Sequence, residues 1–350
     1  MIRALDLFAG AGGLSLGMKE AGVDVIAAVE REKSYVDTLR HHLQDAELQS
    51  SDVRDLDLSR YRSAVDLVMG GPPCQPFSSG GLRGGAKDER DMLPHFMRAI
   101  STIRPQAFLM ENVRGLVVGD RRYYFDRLIS DFHALGYNIT WRVLNAADYG
   151  VPQKRVRLFV VGTRRGVFTF PEPTHGPNRA LAHVTVRDIL PPDQVGEPNP
   201  SKVTYAKAPD LRPSPYHGQL FNGGGRPLNL DEPAPTILAS AGGNKTHFID
   251  TENRVPPYHS YLLSGGKPRQ GTLPGARRLT IIESAIIQTF PRDFIFCGSR
   301  SSQYAQIGNA VPPRLAEVLG RSLVAHFQSV ENGSYSDADG VKVNIQTSLF

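Results

Sequence analysis

One cysteine of this chain stands in a loop whose composition favours chemistry. Cys74 lies in the segment GGPPCQPFS, residues 70–78, which follows the apolar run AVDLVM. Prolines on both sides stiffen the loop, and a loop after a strand of a parallel sheet lies at the carboxyl edge, where ligand crevices form. An isolated cysteine is more often a small core residue, but core cysteines rarely occupy such a loop. The sequence therefore predicts that Cys74 is a nucleophile.

A carboxylate and two guanidiniums are predicted near the same edge. Glu111 and Asn112 end the apolar run QAFLM, so the carboxylate reaches the edge that carries the cysteine. Residues 153–158, QKRVRL, begin another strand, whose period of two places Arg155 and Arg157 on one face. These guanidiniums could bind a phosphate, orient a base or favour a thiolate. A solvated face of an edge strand is the alternative.

The first apolar run leads into a glycine-rich turn, FAGAGG, residues 8–13. Its glycines let the backbone approach a ligand at a helix start, so a nucleotide-like cofactor is expected. Ser15 stands where the GxGxxG pattern of dinucleotide-binding turns has its third glycine. A tight turn that binds no ligand is therefore the alternative interpretation. Glu30 ends the next strand about 20 residues past Gly10, where a carboxylate reaches ribose hydroxyls, and Asp52 could accept from an adenine amino group. Each acid could equally be an ordinary strand-end residue.

The hydropathy pattern divides the chain. Short apolar runs alternate with helix-like segments over residues 1–163, which predicts a parallel sheet covered by helices on both faces. Of the 26 prolines, 17 fall within residues 171–274, which indicates a separate, loop-rich domain. Thr280 and Glu283 then form a capping-box pair at the start of a helix. A last helix is predicted after Pro313, with one apolar stripe formed by Leu315, Val318, Leu319 and Leu323.

Composition narrows the class of protein. The net charge of +5 suits a polyanionic partner, because each neutralised phosphate releases counterions, although many basic proteins never bind nucleic acid. The chain shows neither a signal-peptide pattern nor an apolar run of about 18 residues, so we expect a cytoplasmic protein without membrane contact. Cys74 and Cys297 are far apart and lack metal-ligand spacing, so we expect reduced thiols and no metal.

Five blocks, in chain order, resemble the motifs of the DNA (cytosine-5-)-methyltransferase family, in particular its bacterial restriction-modification type: DLFAGAGG, GGPPCQPFS, ENV, QKRVR and QIGNAVPP. The resemblance implies an α/β, Rossmann-like methyltransferase fold with a mixed, mostly parallel sheet and a smaller, loop-rich target-recognition domain. It implies a catalytic and cofactor-binding domain over residues 1–165, a target-recognition domain over 166–276 and a return to the catalytic domain over 277–330. The polar, glycine-containing composition of residues 331–350 separately predicts a poorly ordered tail.

The resemblance also implies roles for single residues. The implied cofactor is S-adenosyl-L-methionine, in a pocket formed by Phe8, Gly10, Gly12, Gly13, Glu30, Asp52, Val53, Leu93 and Asn309. The implied catalytic residues are Cys74, Glu111, Arg155 and Arg157. Those implied for the target base and the DNA are Pro73, Asn112, Gln153 and Thr236. Arg31 stands where many members carry an aromatic residue, so we assign it no role. Arg226 and Arg254 could read guanines or be ordinary loop residues.

The implied reaction is methylation at C5 of a cytosine flipped out of double-stranded DNA. Addition of the Cys74 thiolate to C6 turns C5 into a nucleophile. Protonated Glu111 would donate to N3, which requires a carboxyl pKa raised by burial. No residue type in the motifs identifies the base that removes the C5 proton.

Other classes of protein and further partners stay open. The same chemistry on RNA is one alternative, although the Cys-Phe-Thr element of that branch is absent. A catalytically silent DNA-binding regulator is another, and an oxidoreductase that uses the glycine turn is a third. Besides double-stranded DNA, we expect a cognate restriction endonuclease that acts on the same site without direct contact. A sliding clamp could bind the terminal QTSLF through Gln346, Leu349 and Phe350, a short motif with many chance matches.

Overall fold

The computed structural model describes residues 1–73 and 91–335. Its residues cluster into two compact units. The first unit comprises Met1–Tyr149, Arg155–Thr174 and the chain from Val311 onward, and the second comprises Gly150–Lys154 and His175–Ala310. Cys74 and the QTSLF terminus, and with them the predicted nucleophile, sliding-clamp motif and most of the polar tail, lie outside the described residues.

The described strands are, in chain order, β1 (Arg3–Leu7), β2 (Asp24–Glu30), β3 (Glu47–Ser50), β4 (Leu67–Gly70), β5 (Ala107–Val113), β6 (Asn138–Asn145), β7 (Gln153–Lys154), β8 (Val156–Thr163), β9 (Tyr205–Asp210), β10 (Gln219–Phe221), β11 (Ala234–Pro235), β12 (Phe248–Asp250) and β13 (Ala276–Arg278). The described α-helices are α1 (Gly13–Glu20), α2 (Lys33–His42), α3 (Leu93–Ile103), α4 (Arg122–Ala134), α5 (Val186–Ile189), α6 (Val255–Leu263), α7 (Ile281–Ile287), α8 (Arg300–Asn309) and α9 (Pro313–Glu331). Of these helices, none is long and apolar enough to cross a membrane.

The first unit is built on a seven-stranded sheet with the order β3-β2-β1-β4-β5-β8-β6. Strands β1 to β5 pair in parallel, and β8 runs antiparallel to both of its neighbours. The predicted α/β fold with a mixed, mostly parallel sheet is therefore confirmed. The strand order reverses between β1 and β4, and ligands of such sheets bind outside the carboxyl ends of the strands at that reversal.

The core of this unit forms because its central strands are apolar almost throughout, as a sheet covered on both faces requires. In β5 the residues from Ala107 to Met110 are all buried, and in β8 the same holds from Leu158 to Thr163. Aromatic residues fill the space between sheet and helices: the ring of Phe108 lies 4.4 Å from that of Phe132 in α4, centroid to centroid. A rigid sheet thus supports the loops at its carboxyl edge.

The last helix packs closely against the first. A Cβ atom at Gly17 of α1 would lie 2.2 Å from the carbonyl oxygen of Pro313, and one at Gly320 of α9 would lie 2.7 Å from the Cβ of Ala21. The predicted helix after Pro313 is confirmed; of its predicted stripe, Val318 is only half-buried, whereas three members are buried, Leu315, Leu319 and Leu323. Residues from both ends of the chain therefore complete the same helical layer.

The second unit has short strands and long connections, as its proline content predicted. Antiparallel β9 and β10, antiparallel β12 and β13, and parallel β7 and β11 form separate two-stranded sheets. The predicted capping box of α7 is confirmed: the Thr280 hydroxyl accepts from the Glu283 N–H at 3.0 Å, and the Glu283 carboxylate accepts from the Thr280 N–H at 2.9 Å. This unit runs to Ala310, whereas the sequence places a division at residue 277; the functional division stays a prediction.

Candidate active site

The glycine turn follows β1 in a conformation that few residues adopt. Gly10 and Gly12 have positive φ values of 59° and 81°, and α1 begins at Gly13 directly after them. Phe8 also lies in the left-handed region, at φ 59°. Such a backbone costs about 1–3 kcal/mol for a residue with a side chain, and it occurs mostly at ligand sites. The turn thus presents backbone and an aromatic ring at the strand reversal.

Glu30, the last residue of β2, fastens this turn. One carboxylate oxygen accepts from the Gly10 N–H at 2.8 Å, and the other accepts from the N–H groups of Arg31 and Glu32 at 2.8 and 2.9 Å. Three backbone donors therefore fix the carboxylate beside the turn. This is the position expected for a ligand to ribose hydroxyls.

A buried pair lies below the turn. Asp6 in β1 is 1% exposed and accepts from the hydroxyl of Ser15 in α1 at 2.6 Å. Its other oxygen, Oδ1, has no hydrogen-bond partner among the described residues. Burial, and secondarily the negative charge of Glu30, raise the pKa of Asp6 to about 7. Ser15, which replaces the third glycine of the fingerprint, thus ties α1 to β1.

Asp52 follows β3 and is bound by two arginines. Its Oδ1 accepts from the N–H and Nε of Arg54 at 2.9 and 3.1 Å, and its Oδ2 accepts from Arg54 Nη2 at 2.8 Å. Arg31 Nη1 approaches the same Oδ2 at 3.5 Å. Hydrogen bonds from Arg54 lower the pKa of Asp52 to about 2. The neighbouring predicted pocket residues are both buried: Val53, and Leu93 at the start of α3.

Glu111 and two arginines form a charge cluster at the end of β5, in which the side chains of Glu111 and Arg157 are 12% and 19% exposed. Glu111 Oε1 lies 3.0 Å from Arg157 Nε in the adjacent strand β8. Burial raises the pKa of Glu111, and the positive charges of Arg157 and Arg155 oppose that rise. Arg155 is 1% exposed, and burial lowers its pKa to about 9. A carboxyl group that burial favours in its protonated form thus lies within reach of fixed positive charge.

The predicted strand over residues 153–158 is interrupted. Gln153 and Lys154 form β7, β8 begins at Val156, and Arg155 lies between them. The expectation that one continuous strand presents both arginines is therefore wrong, because the residues before Arg155 pair with β11 in the second unit instead of continuing the large sheet. The solvated edge-strand alternative is also wrong, since Arg155 is buried and β8 lies between β5 and β6.

The chain on either side of residues 74–90 is anchored beside Glu111. A Cβ atom at Gly71 would lie 3.1 Å from Glu111 Oε2. Asn112, which is buried, donates to the carbonyl of Pro72 at 3.1 Å, and the carbonyl of the exposed Pro73 accepts from the Met92 N–H at 3.0 Å. The structure therefore directs the segment immediately before Cys74 past the carboxyl group of Glu111.

Three predicted site residues belong to the second unit. Gln153 is fully buried, and Thr236 is half-buried and donates to the carbonyl of Lys154 at 2.7 Å. Asn309 is exposed at the end of α8. Arg226 bonds the carbonyl of His217, and Arg254 pairs with Glu252 at the wall of a 270 Å³ surface cavity. Their predicted roles toward base, DNA or cofactor stay predictions.

Taken by itself, the first unit joins a glycine turn, a fixed carboxylate and a buried carboxyl–guanidinium cluster at the strand ends on either side of the reversal. Sequence reasoning missed Asp6 and also Gln288, a fully buried glutamine described below. Asp6 is a polar residue inside an otherwise buried strand, a pattern that could have indicated a partner for Ser15. Such an arrangement suits nucleotide-like cofactors and proton-donating chemistry.

Comparisons with known proteins agree with a site for a nucleotide-like cofactor and proton-donating chemistry. The profile of the C-5 cytosine-specific DNA methylase family matches residues 2–325. Type II methyltransferase M1.HphI of Haemophilus parahaemolyticus is 35% identical over 91% of this chain and 86% of its own length, and Type II methyltransferase M.NgoMIV of Neisseria gonorrhoeae is 34% identical over 92% and 96%. The chain belongs to the C-5 cytosine-specific DNA methylase family, and it is a DNA (cytosine-5-)-methyltransferase.

Solved structures show the same fold at low sequence identity. A mutant of DNMT2 from Spodoptera frugiperda superposes with a TM-score of 0.68 at 18% identity, covering 92% of this chain and 100% of that one. The Dnmt2 methyltransferase of S. pombe gives 0.66 at 16% identity, covering 94% and 99%. The predicted family and fold are therefore confirmed.

Proposed function

We propose that the protein transfers a methyl group from S-adenosyl-L-methionine to C5 of a cytosine flipped out of a specific duplex site. Cys74 adds to C6 of the ring and leaves after the C5 proton is lost. Flipping costs a few kcal/mol, which contacts to the base and backbone offset. The observation that carries the proposal is the approach of the segment before Cys74 to Glu111, a largely shielded carboxyl group whose pKa burial raises.

Glu111 acts as the acid in this proposal. When the thiolate adds to C6, electron density moves toward N3, and a protonated carboxyl group there donates a proton or a hydrogen bond. Burial favours the protonated form of Glu111, whereas Arg157 at 3.0 Å keeps its pKa from rising further. Arg157 and Arg155 also supply positive charge that favours a nearby thiolate and orients the base.

The residues at the glycine turn fit the proposed cofactor. Gly10 leaves space at the turn for a ligand, because a Cβ atom there would meet nothing within 4 Å, whereas one at Gly12 would lie 2.8 Å from the side chain of Leu39. Phe8 supplies an aromatic ring, and Glu30 has a carboxylate fixed beside the turn. When bound, the cofactor supplies an electrophilic methyl group on a sulfonium. Asp52 fits less simply, because Arg54 already takes three of its hydrogen bonds. Its Oδ2 can accept from an adenine amino group in place of the longer contact to Arg31.

Incubation with labelled S-adenosyl-L-methionine and a set of duplexes, followed by mapping of the modified base, tests the proposal. We expect 5-methylcytosine in one site, and a duplex with 5-fluorocytosine at that site should trap a covalent adduct, because fluorine cannot leave as a proton. A methylated adenine, or full activity of Cys74→Ser, would refute it. Duplex and RNA substrates compared side by side decide between DNA and RNA as substrate.

The biological setting is proposed from the relatives. Several of them are named Type II methyltransferases at 30–35% identity over most of this chain. We infer that this enzyme also protects a site that a cognate restriction endonuclease cuts, without contact between the two proteins. Treatment of methylated and unmethylated DNA with the endonuclease of the same host, once the site is mapped, tests this inference.

A further inference from the structure

Two buried glutamines form a chain of hydrogen bonds through the second unit. Gln153 Nε2 donates to Gln288 Oε1 at 2.8 Å, and both side chains are fully buried. Gln153 Oε1 accepts from the N–H of Ile237 at 3.1 Å. Gln288 Nε2 donates to the carbonyls of Ile307 and Ala310 at 2.6 and 3.2 Å. We call Gln153 and Gln288 the amide relay.

The direction of the relay is fixed at both ends by backbone groups. The Ile237 N–H can only donate, so the oxygen of Gln153 must face it, and its amide nitrogen then faces Gln288. The carbonyls of Ile307 and Ala310 can only accept, so the nitrogen of Gln288 must face them. Each position therefore needs one acceptor and one donor on the same side chain, a requirement that glutamine meets and glutamate or methionine does not.

The segment at one end of the relay is further immobilised. Ala234 N–H donates to the carbonyl of Pro152 at 2.9 Å, and the Thr236 hydroxyl donates to that of Lys154 at 2.7 Å. His247 Nδ1 accepts from the Arg226 N–H, so its Nε2 carries the proton that contacts the Thr236 carbonyl at 3.3 Å.

The other end of the relay lies beside that same segment. A Cβ atom at Gly308 of α8 would lie 2.3 Å from the carbonyl carbon of Leu238, so backbone meets backbone there. Residues 234–238 and the end of α8 are thus packed together without space between them, and the relay joins them through Ile237 at one end and Ile307 and Ala310 at the other.

We propose that Gln288 is a positioning residue: through the amide relay it fixes Thr236 and the α8 terminus that carries Asn309 in one arrangement for DNA and cofactor binding. The inference rests on the proposed function, because that proposal names duplex DNA and S-adenosyl-L-methionine as the ligands of these two elements. Loss of Gln288 leaves the carbonyl of Ala310 and the side-chain amide nitrogen of Gln153 buried without their partners. The carbonyl of Ile307 keeps only the 3.3 Å contact from the Ala310 N–H. Relaxation of these groups moves both binding elements, although Gln288 touches neither ligand.

The test compares variants of the full-length enzyme with a matched control. Gln288→Met and the near-isosteric Gln288→Glu remove the donors to α8, and Gln153→Met breaks the relay at its other member. Ser284→Ala removes a similarly buried polar side chain of the same unit, whose hydroxyl donates to the carbonyl of Thr280 at 2.8 Å and contacts neither binding element. Each variant is assayed for thermal unfolding, for the KM of a duplex carrying the mapped site, and for S-adenosyl-L-methionine binding by calorimetry.

We expect Gln288→Met and Gln288→Glu to raise the KM for the duplex about tenfold or more and to weaken cofactor binding in the same direction. Ser284→Ala should lose thermal stability with both binding constants unchanged. Because the relay acts as a unit, the double variant of Gln153 and Gln288 should cost little more than the worse single variant.

Several results would overturn the proposal. These are an unchanged KM in Gln288→Met, an equal KM change in Ser284→Ala, or effects of the two relay positions that multiply. If Gln288→Met does not fold, Gln153→Glu serves in its place, since it keeps the acceptor for Ile237 and loses only the donor to Gln288. A wild-type enzyme that neither binds the cofactor nor methylates DNA would instead refute the proposed function.

Discussion

The buried carboxyl group of Asp6 makes the stability of this enzyme depend on pH in an unusual direction. Its pKa is raised from 3.8 to about 7 in the folded protein. Between those values the folded state binds more protons than the unfolded state, so stability falls as pH rises through this window. The difference is worth about 4 kcal/mol at most, at about 1.4 kcal/mol for each pH unit. The contribution is unfavourable above pH 7 and absent below about pH 4.

Asp6→Asn removes the titrating proton and keeps the shape and the acceptor for Ser15. The variant should be more stable than the wild type at pH 8 by about 4 kcal/mol, and the difference should shrink to about 2 kcal/mol at pH 5 and vanish below about pH 4. Urea unfolding between pH 5 and 8.5, followed by circular dichroism, measures this difference. Asp24→Asn, which changes an exposed aspartate at the start of β2, serves as the control. Parallel pH curves for the wild type and Asp6→Asn would show that Asp6 does not carry the buried charge.

Three further predictions concern catalysis. Cys74→Ser should abolish methylation, and mass spectrometry should find no adduct with a 5-fluorocytosine duplex; turnover near the wild-type rate would contradict the proposed nucleophile. Glu111→Gln should lower kcat about 10²- to 10⁴-fold. Because the protonated form of Glu111 is the active one, the wild-type rate should decline as the pH rises through the raised pKa of Glu111. This decline should be missing from the variant. Gly71→Ala places a methyl group 3.1 Å from Glu111 Oε2, so kcat in steady-state assays should fall about tenfold with little change in Tm; an unchanged kcat would show that the position of Glu111 is not critical.

Much of the fold could be predicted because local sequence and tertiary structure agree. The apolar runs of β1, β4, β5 and β8 appear as strands, and the capping box at Thr280 begins a helix as expected. Glu30 and Glu111 could be placed at one sheet edge because the carboxyl ends of parallel strands meet there. In such regions the type and spacing of the residues are enough to indicate the secondary structure and the sheet edge at which a residue lies.

The remainder depends on partners distant in sequence. The break at Arg155 follows from pairing between β7 and β11, about 80 residues apart, which no local pattern reveals. The partners of Asp52, and the pairing of Gln153 with Gln288, likewise depend on side-chain directions set by the assembled fold. Glutamine is mostly exposed in folded proteins, so neither member of the amide relay could be recognised as a buried group from the sequence.

The close packing of α9 on α1 has a consequence for synthesis on the ribosome. The helix that completes the layer behind the glycine turn comes from residues 313–331, and through Gly17 and Gly320 it packs against a helix about 300 residues earlier in the sequence. A nascent polypeptide therefore carries an unfinished first unit until residues 313–331 have left the ribosome. Premature termination anywhere before α9 should yield protein that aggregates or is degraded, and truncated copies without it should not accumulate in the cell.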